Sequence, residues 1–413
     1  MTIKPVLSWG LAKKDLLAVL VLVVNTFSWY FPLYVFFETT LRKILLDPTI
    51  SLAIFGIQYI VAIGFAIAGT LLVKKFASRA LFLSIWLVIG TVVSALLVVI
   101  ETSKLAYVWL IPFLLGISLG LGFPSCLAYF GDLSVGESRG RLGGIVWFAS
   151  GICILLIGLL TSISSFVIGV LIFTAWRGIG FVLFRLIKPD RVHEEDVVHV
   201  SYKSILVDKS FLLYLIPWIM FCLVNFLERP ITNNLFGNVA FLVPFAEYGI
   251  GAFAALIGGW FADSVGRKRI TIFGFMVLGI GYAVLGLFPN IVFSWYLYIV
   301  LDGIAWGVFS LMFYLVIWSE LAGNRTKEKY YLVGVLPFLI SSYIQILFEP
   351  YVGLVPISTA FSLASFFLFL AVLPLLYAPE TLPEKQIELR RLKRYMEKAK
   401  TIKEKHQAPS DKT

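Results

Sequence analysis

The chain has 413 residues, of which 60% are hydrophobic and only 14% charged. Soluble domains run nearer half apolar and a quarter charged, so most of this chain must be solvated by lipid. The formal charge of +10 lies in short basic clusters between apolar runs, the pattern of membrane-protein loops and not of a nucleic-acid surface. Cys126, Cys153 and Cys222 sit inside apolar runs without ligand spacing and read as small buried hydrophobes, so neither a disulfide frame nor a metal site is expected.

Lys13 and Lys14 precede the first apolar stretch, which is span-length and has no small-residue cleavage site after it; it reads as a first span and not as a removable leader. Runs near twenty apolar residues predict spans over 16–37, 50–73, 80–100, 105–130, 142–163 and 165–187. A charged stretch follows, and six more spans come at 211–231, 240–262, 270–288, 291–318, 330–348 and 356–377. The sequence therefore predicts an all-α membrane protein of twelve transmembrane helices, divided into a six-helix bundle over 1–187, a linker over 188–210, a second bundle over 211–380 and a charged tail over 381–413. Odd connections such as 101–104, 161–165 and Pro289-Asn290 carry almost no Lys or Arg, whereas even ones hold Lys74-Lys75, Arg139 with Arg141, Arg267-Lys268-Arg269, and Arg325 with Lys327. The positive-inside rule then places both termini and the linker in the cytoplasm of a cell membrane protein. The tail alternates Glu with Lys and Arg and reads as a solvated helix fraying into disorder.

The halves align on each other. A shift of about 190 positions pairs Phe37-Glu38 with Leu227-Glu228, Gly69 with Gly259, Arg79 with Arg269, and Pro189-Asp190 with Pro379-Glu380. A shift of about 187 lays Gly116 and Gly120 on Gly303 and Gly307, giving the fourth and tenth spans a small-xxx-small face for close helix approach. Two related six-span bundles with a site between them near the midplane are the architecture that rocking-bundle alternating access requires.

The most specific local pattern is Gly259-Trp-Phe-Ala-Asp263-Ser-Val-Gly266-Arg267-Lys268-Arg269, at the end of the eighth span. It resembles the signature loop of the major facilitator superfamily. Glu137 and Arg139 after the fourth span, Glu320 with Arg325 after the tenth, and the Pro379-Glu380-Thr381 run, similar to that of sugar porters and related solute transporters, fit the same family. The resemblance spans about Leu16 to Thr381 and implies the major facilitator fold, a secondary transporter, and a cytoplasmic lock formed by Asp263, Arg267, Glu320, Arg325 and Glu380, with Asp263 facing the start of the fifth span near Gly143. The first half departs from the pattern, with Val73 where Asp belongs and Phe76 where the turn Gly belongs, so the lock is expected to be lopsided and to depend chiefly on Asp263. An Arg early in the fourth span and a Gln-rich seventh span, typical of sugar porters, are missing, as is the Gly-Pro pair of the fifth span usual in drug antiporters.

Charged or polar groups inside spans default to function unless they lie near an end and snorkel. Asp302 shares a 4-3-4 stripe with Trp306, Phe309 and Phe313; Asn225 and Glu228 continue the stripe of Trp218 and Phe221; and the first span offers Asn25, Ser28, Trp29 and Pro32. In the eleventh span Ser342, Gln345 and Glu349 align, with Gln345 preferred because Glu349 is near a boundary. Glu247 shares its face with Gly251, Ala254 and Gly258, as a structural carboxyl or a coupling site. The predicted cavity set is thus Asn25, Trp29, Asn225, Glu228, Glu247, Asp302, Trp306 and Gln345. Arg177 is predicted to snorkel from a peripheral sixth span, and Glu38 and Arg229 to sit at outer interfaces. No nucleophile, metal set or carboxylate pair with ligand spacing points to an enzyme, and His193, His199 and His406 fall in the linker and tail. The reading is a monomeric, cofactor-free transporter of a small-molecule substrate, probed first as a proton-coupled symporter of a sugar, organic acid or similar metabolite, with an efflux antiporter or a non-transporting sensor as alternatives.

Overall fold

In the computed structural model the described residues are 13–382, apart from 45–46, 103–104, 135, 188–197, 238–239, 241–242 and 353, together with scattered positions between 388 and 399. The readings made for Ser103-Lys104, Pro189-Asp190, His193, His406 and most of the linker and tail lie outside these residues. Among the described residues, twelve helices are long and apolar enough to cross a membrane: Lys13–Ile44, Thr49–Lys75, Arg79–Ile100, Ala106–Leu133, Arg139–Ser162, Phe166–Ile187, Lys209–Phe236, Val243–Val265, Arg267–Leu287, Val292–Ala322, Lys327–Val352 and Ile357–Tyr377. They are numbered as spans one to twelve in chain order. Each predicted span is present, and several run further than their apolar stretch because polar caps extend them. Asp47 accepts from the Thr49 and Ile50 amides ahead of span two, Ser78 from Leu81 ahead of span three, and Asp208 from Ser210 ahead of span seven.

Small residues set the helix spacing. A Cβ on Gly120 would come within 2.0 Å of the Ala62 carbonyl oxygen, and one on Gly307 within 2.2 Å of that of Gly251. The fourth and tenth spans therefore press on the second and eighth at equivalent places, as the repeat predicts. The seam between the halves is built alike: a Cβ on Gly259 of span eight would lie 2.3 Å from the Gly140 carbonyl oxygen of span five. Span four is interrupted around Leu121-Gly122, where the Trp86 ring occupies the place of any side chain on residue 122. Span ten is helical over Val292–Phe309, widens to a π-helix over Ser310–Val316, and closes as α-helix over Ile317–Ala322. The π-helix is buried throughout, and such segments cluster at functional sites.

Candidate functional site

The ends of the spans that carry Lys74-Lys75, Arg139, Arg267–Arg269 and Arg325–Lys327 form one face of the molecule, the basic face. A cavity lies between the halves, running from Asp302, Trp306 and Ser310 near mid-span to the exposed Asn233 and to Ala240 at the opposite face. Five of the eight predicted residues line it: Asn225, Glu228, Glu247, Asp302 and Trp306. The first half contributes Tyr30, Phe31, Tyr34 and Trp147. Trp306 donates its indole N–H to Asn225 Oδ1 at 3.0 Å, fixing the amide's orientation. Glu228 Oε1 accepts from the Tyr298 hydroxyl at 3.1 Å, while its Oε2 has no hydrogen-bond partner. Glu247 and Asp302 lie within hydrogen-bonding reach of one another, and Asp302 Oδ1 is buried without a partner. Two carboxyls in that relation share a proton, so that only one is ionised, unless a cation stands between them. Tight packing of span eight on span ten, expected from Gly251, brings Glu247 to Asp302.

Three predicted cavity residues are elsewhere. Asn25 donates to the Trp176 carbonyl oxygen at 2.7 Å and accepts from Arg177 at 3.0 Å. Trp29 donates to Ser94 Oγ at 2.8 Å and is 1% exposed. The polar stripe of span one therefore faces spans three and six inside the first half, where an apolar bundle interior gives it partners, instead of the cavity. Gln345 is not among the lining residues; Ser342, one turn earlier, takes its place. The prediction that Arg177 snorkels is also overturned. Its guanidinium is fully buried between the rings of Trp29 and Trp86, at 4.5 and 4.4 Å from their centroids, and bonds Asn25 and Thr26. Two indole faces and two oxygens offset a desolvation that lipid headgroups would otherwise have to relieve. Arg229, read as an interface residue, lines the cavity and lies in the electrostatic field of Glu38 and Glu247. Its register four residues on from Asn225, on one helix face, is the signal that could have placed it.

Beneath the cavity, toward the basic face, aromatic rings close the path. Tyr314, in the π-helix, stacks on Trp147 at 5.7 Å and packs on Phe27 at 5.4 Å and Phe338 at 5.8 Å, so rings from both halves meet there.

Below this floor lies a network of ion pairs. Asp263 accepts from the Gly140 and Arg141 amides, each at 2.9 Å, and from Arg141 Nε at 3.0 Å. It therefore caps span five of the other half, one turn nearer the helix start than Gly143, where free amides and the positive dipole end favour a carboxylate. Arg267 pairs with Asp263 at 2.7 Å and with Glu320 at 3.1 Å, and donates to the Gly136 carbonyl oxygen at 2.8 Å. Arg139 approaches Glu320 at 3.7 Å. Gly266, at φ 122°, makes the turn that no side chain tolerates well. Glu380 accepts from the Arg267 amide at 2.7 Å and so caps span nine, and Thr381 donates to Glu320 at 2.6 Å. Lys268 reaches the Leu376 carbonyl oxygen at 2.7 Å, Arg269 is exposed, and Glu137 sits on the exposed turn before span five. Arg325 is the exception among the predicted lock residues: it bonds Tyr330 at 2.7 Å and pairs with Asp208 at 3.4 Å, apart from the Asp263 cluster.

The lock is less lopsided than Val73 and Phe76 suggest. At the symmetric position Arg79 pairs with Asp132 within the first half and reaches Glu328 of span eleven at 2.6 Å, while Lys327 reaches Asp132 at 2.5 Å. Arg79 is the repeat mate of Arg269, but the carboxylate that answers it comes from the eleventh span itself, a swap invisible to a search for Asp at position 73. The end of the linker adds a strap on the same side. Val198 accepts from the Thr326 amide and donates to the Asn324 carbonyl oxygen, Val200 accepts from Lys329 at 2.5 Å, and Tyr202 meets Thr70 of span two at 2.7 Å. His199 lies within 3.2 Å of Lys74 and 3.1 Å of Thr326, so this short segment holds both halves. At the opposite face Arg42 pairs with Glu38 at 3.0 Å and with Glu349 at 2.8 Å, all partly exposed.

No protein-family model matches the chain, and no curated protein sequence does. Solved structures do. The proton:xylose symporter XylE of the major facilitator superfamily, bound to 6-bromo-6-deoxy-D-glucose, superposes with a TM-score of 0.66 at 16% identity, covering 89% of this chain and 96% of that one. A bacterial homologue of the iron transporter ferroportin, in its outward-facing state, superposes with a TM-score of 0.64 at 13% identity, covering 88% and 96%. The chain has the major facilitator fold.

Proposed function

We propose that this chain is a secondary active transporter, moving a small organic solute across a cell membrane by alternating access, with protons carried at Glu247 and Asp302. The observation that carries this reading is the cavity itself: acid-lined, placed between two repeated six-span halves, open toward one face and sealed from the other by rings and cross-half ion pairs. The halves over 1–187 and 211–380 would rock about that site, with the linker over 188–210 joining them. The basic face is assigned to the cytoplasm, with the tail over 381–413 on the same side, because Lys and Arg concentrate there. Metal cargo has less support, since no group of three metal-ligating side chains occurs among the described residues. Three carboxyls beside one guanidinium also make a poor host for an organic acid.

A test independent of substrate identity places spin labels at Ala77→Cys and Ser264→Cys, one on each half at the basic face, in a chain whose native cysteines are replaced by serine. Liposome samples should give a short and a long distance population whose ratio changes with pH. A single distance at every pH would rule out alternating access. An impermeant thiol reagent applied to intact cells should modify Asn290→Cys and spare Ala77→Cys, and the reverse result would invert the orientation.

A further inference from the structure

The cavity's charge and its walls together restrict what it can hold, given that it is the transport site. Glu228, Glu247 and Asp302 come from spans seven, eight and ten, and all three line the same space. The charged and titratable groups facing them are few. Asp302 meets Glu247, and its field acts on Glu228. Glu228 has Tyr298 as donor, with the Tyr282 hydroxyl of span nine also within reach of it. Arg229 is the one cation lining the cavity among the described residues; it faces Glu228 and Glu247 and is shared with Glu38 at the outer rim and with Tyr34 and Tyr248. One oxygen on Glu228 and one on Asp302 are buried with no closed hydrogen bond, the Tyr282 hydroxyl and the Glu247 carboxyl being the groups within reach of these two acids. Much of the cavity wall is aromatic: Tyr30, Tyr34 and Trp147 on the first half, and Phe226, Trp306 and Phe338 on the second.

Three carboxyls that line one enclosed space with a single guanidinium must hold protons or face a further cation. Ring faces add an attraction for a desolvated cation that they do not offer an anion, and their area favours an apolar body over a bare ion. We infer that the substrate is an organic cation, an ammonium group on an apolar or aromatic body, whose charge sits between Glu228 and Asp302 while its body packs on the rings. The protons, carried at Glu247 and Asp302, and this cation then share Asp302 and exclude one another. The coupling is therefore exchange: the cation binds as carboxyl protons leave, and acid on the far side returns the protons and expels the cation. Symport, the first expectation from sequence, would need separate sites for the two. A sugar's hydroxyls would donate to the orphan oxygens but would leave their charge uncompensated.

The probe is phenethyltrimethylammonium, which has no exchangeable proton and does not cross bilayers unaided. Its controls are the neutral 2-phenylethanol, the anionic 3-phenylpropionate, and xylose. With purified protein the quaternary cation should raise the apparent melting temperature through preferential binding to the folded state. Its affinity should fall about tenfold per pH unit on acidification if one proton is displaced. In proteoliposomes loaded with the probe, its efflux should draw protons inward and make the outer medium alkaline. Glu228→Gln and Asp302→Asn should each weaken binding tenfold or more; if either variant fails to fold, the isostere comparison and the pH series on the wild-type protein decide alone. Equal or tighter binding of the neutral or anionic probes, tighter cation binding in acid, or no binding of the cation would overturn the inference. None of those results touches the transport reading, which stands or falls on the spin-label distances.

Discussion

Among single residues, Arg177 shows how environment overrides composition. An arginine two turns inside an apolar helix reads as a snorkelling side chain, yet its head is held by Trp29, Trp86, Asn25 and Thr26 and is fully buried. Sequence places all four partners on other segments of the chain, so only the fold could reveal the tie. Removing a buried cation from a built niche leaves a cavity and strands its partners, at a cost of about 3 kcal/mol. Arg177→Ala should lower stability by that amount in detergent unfolding. Arg177→Lys should recover less than half of it, because an ammonium cannot stack flat between two indoles. An unchanged midpoint in Arg177→Ala would show that the niche contributes nothing. The place of Asp302 on the cavity wall, by contrast, is legible in the sequence from the stripe it shares with Trp306.

At the scale of the helix, the sequence served well where 3.6-residue periodicity persists and misled where it breaks. Asp302 and Trp306 line the cavity as their stripe implies, but Phe309 and Phe313 turn into the second half, against Phe221 and Trp218 at 4.5 and 4.6 Å. The wider π turn from Ser310 then presents Tyr314, one residue on from the stripe, to the aromatic floor. The starts of spans five and eleven tell a similar story, for one is capped by Asp263 as the motif implies and the other is held by Arg79, known from sequence only as the repeat mate of Arg269, and by Asp132, which no motif flagged. The two starts should therefore share the lock. With Ser310→Cys as reporter, thiol labelling from the basic face should rise in Asp263→Asn and comparably in the Lys327→Ala/Glu328→Gln pair. A gate interaction of about 1–3 kcal/mol shifts populations by roughly five- to 150-fold. A large effect from Asp263→Asn with none from the pair would restore the lopsided lock.

Across the whole molecule, the twelve spans, their repeat and the family-like loop were readable because lipid imposes span length and backbone satisfaction on any sequence that crosses it. What stayed hidden are contacts that depend on rotations of whole helices, within a half as with the polar stripe of span one, and between the halves as with Arg79 and Glu328. The strap over Val198–Tyr202 belongs to the same class: it lies in a polar linker and bonds both Thr70 and the turn before span eleven. Thr70→Val with Tyr202→Phe should increase the long-distance fraction of the Ala77/Ser264 label pair, and an unchanged distribution would show that the strap bears no load. A chain of two alike halves has two seams but one connector, and the connector's described residues clasp the seam where span two meets span eleven. Among the described residues the glycine seam of spans five and eight has no such clasp and is tied by Asp263 instead. On the proposed rocking motion the two edges are expected to part unequally, and a molecule built by duplication acquires a front and a back to its motion.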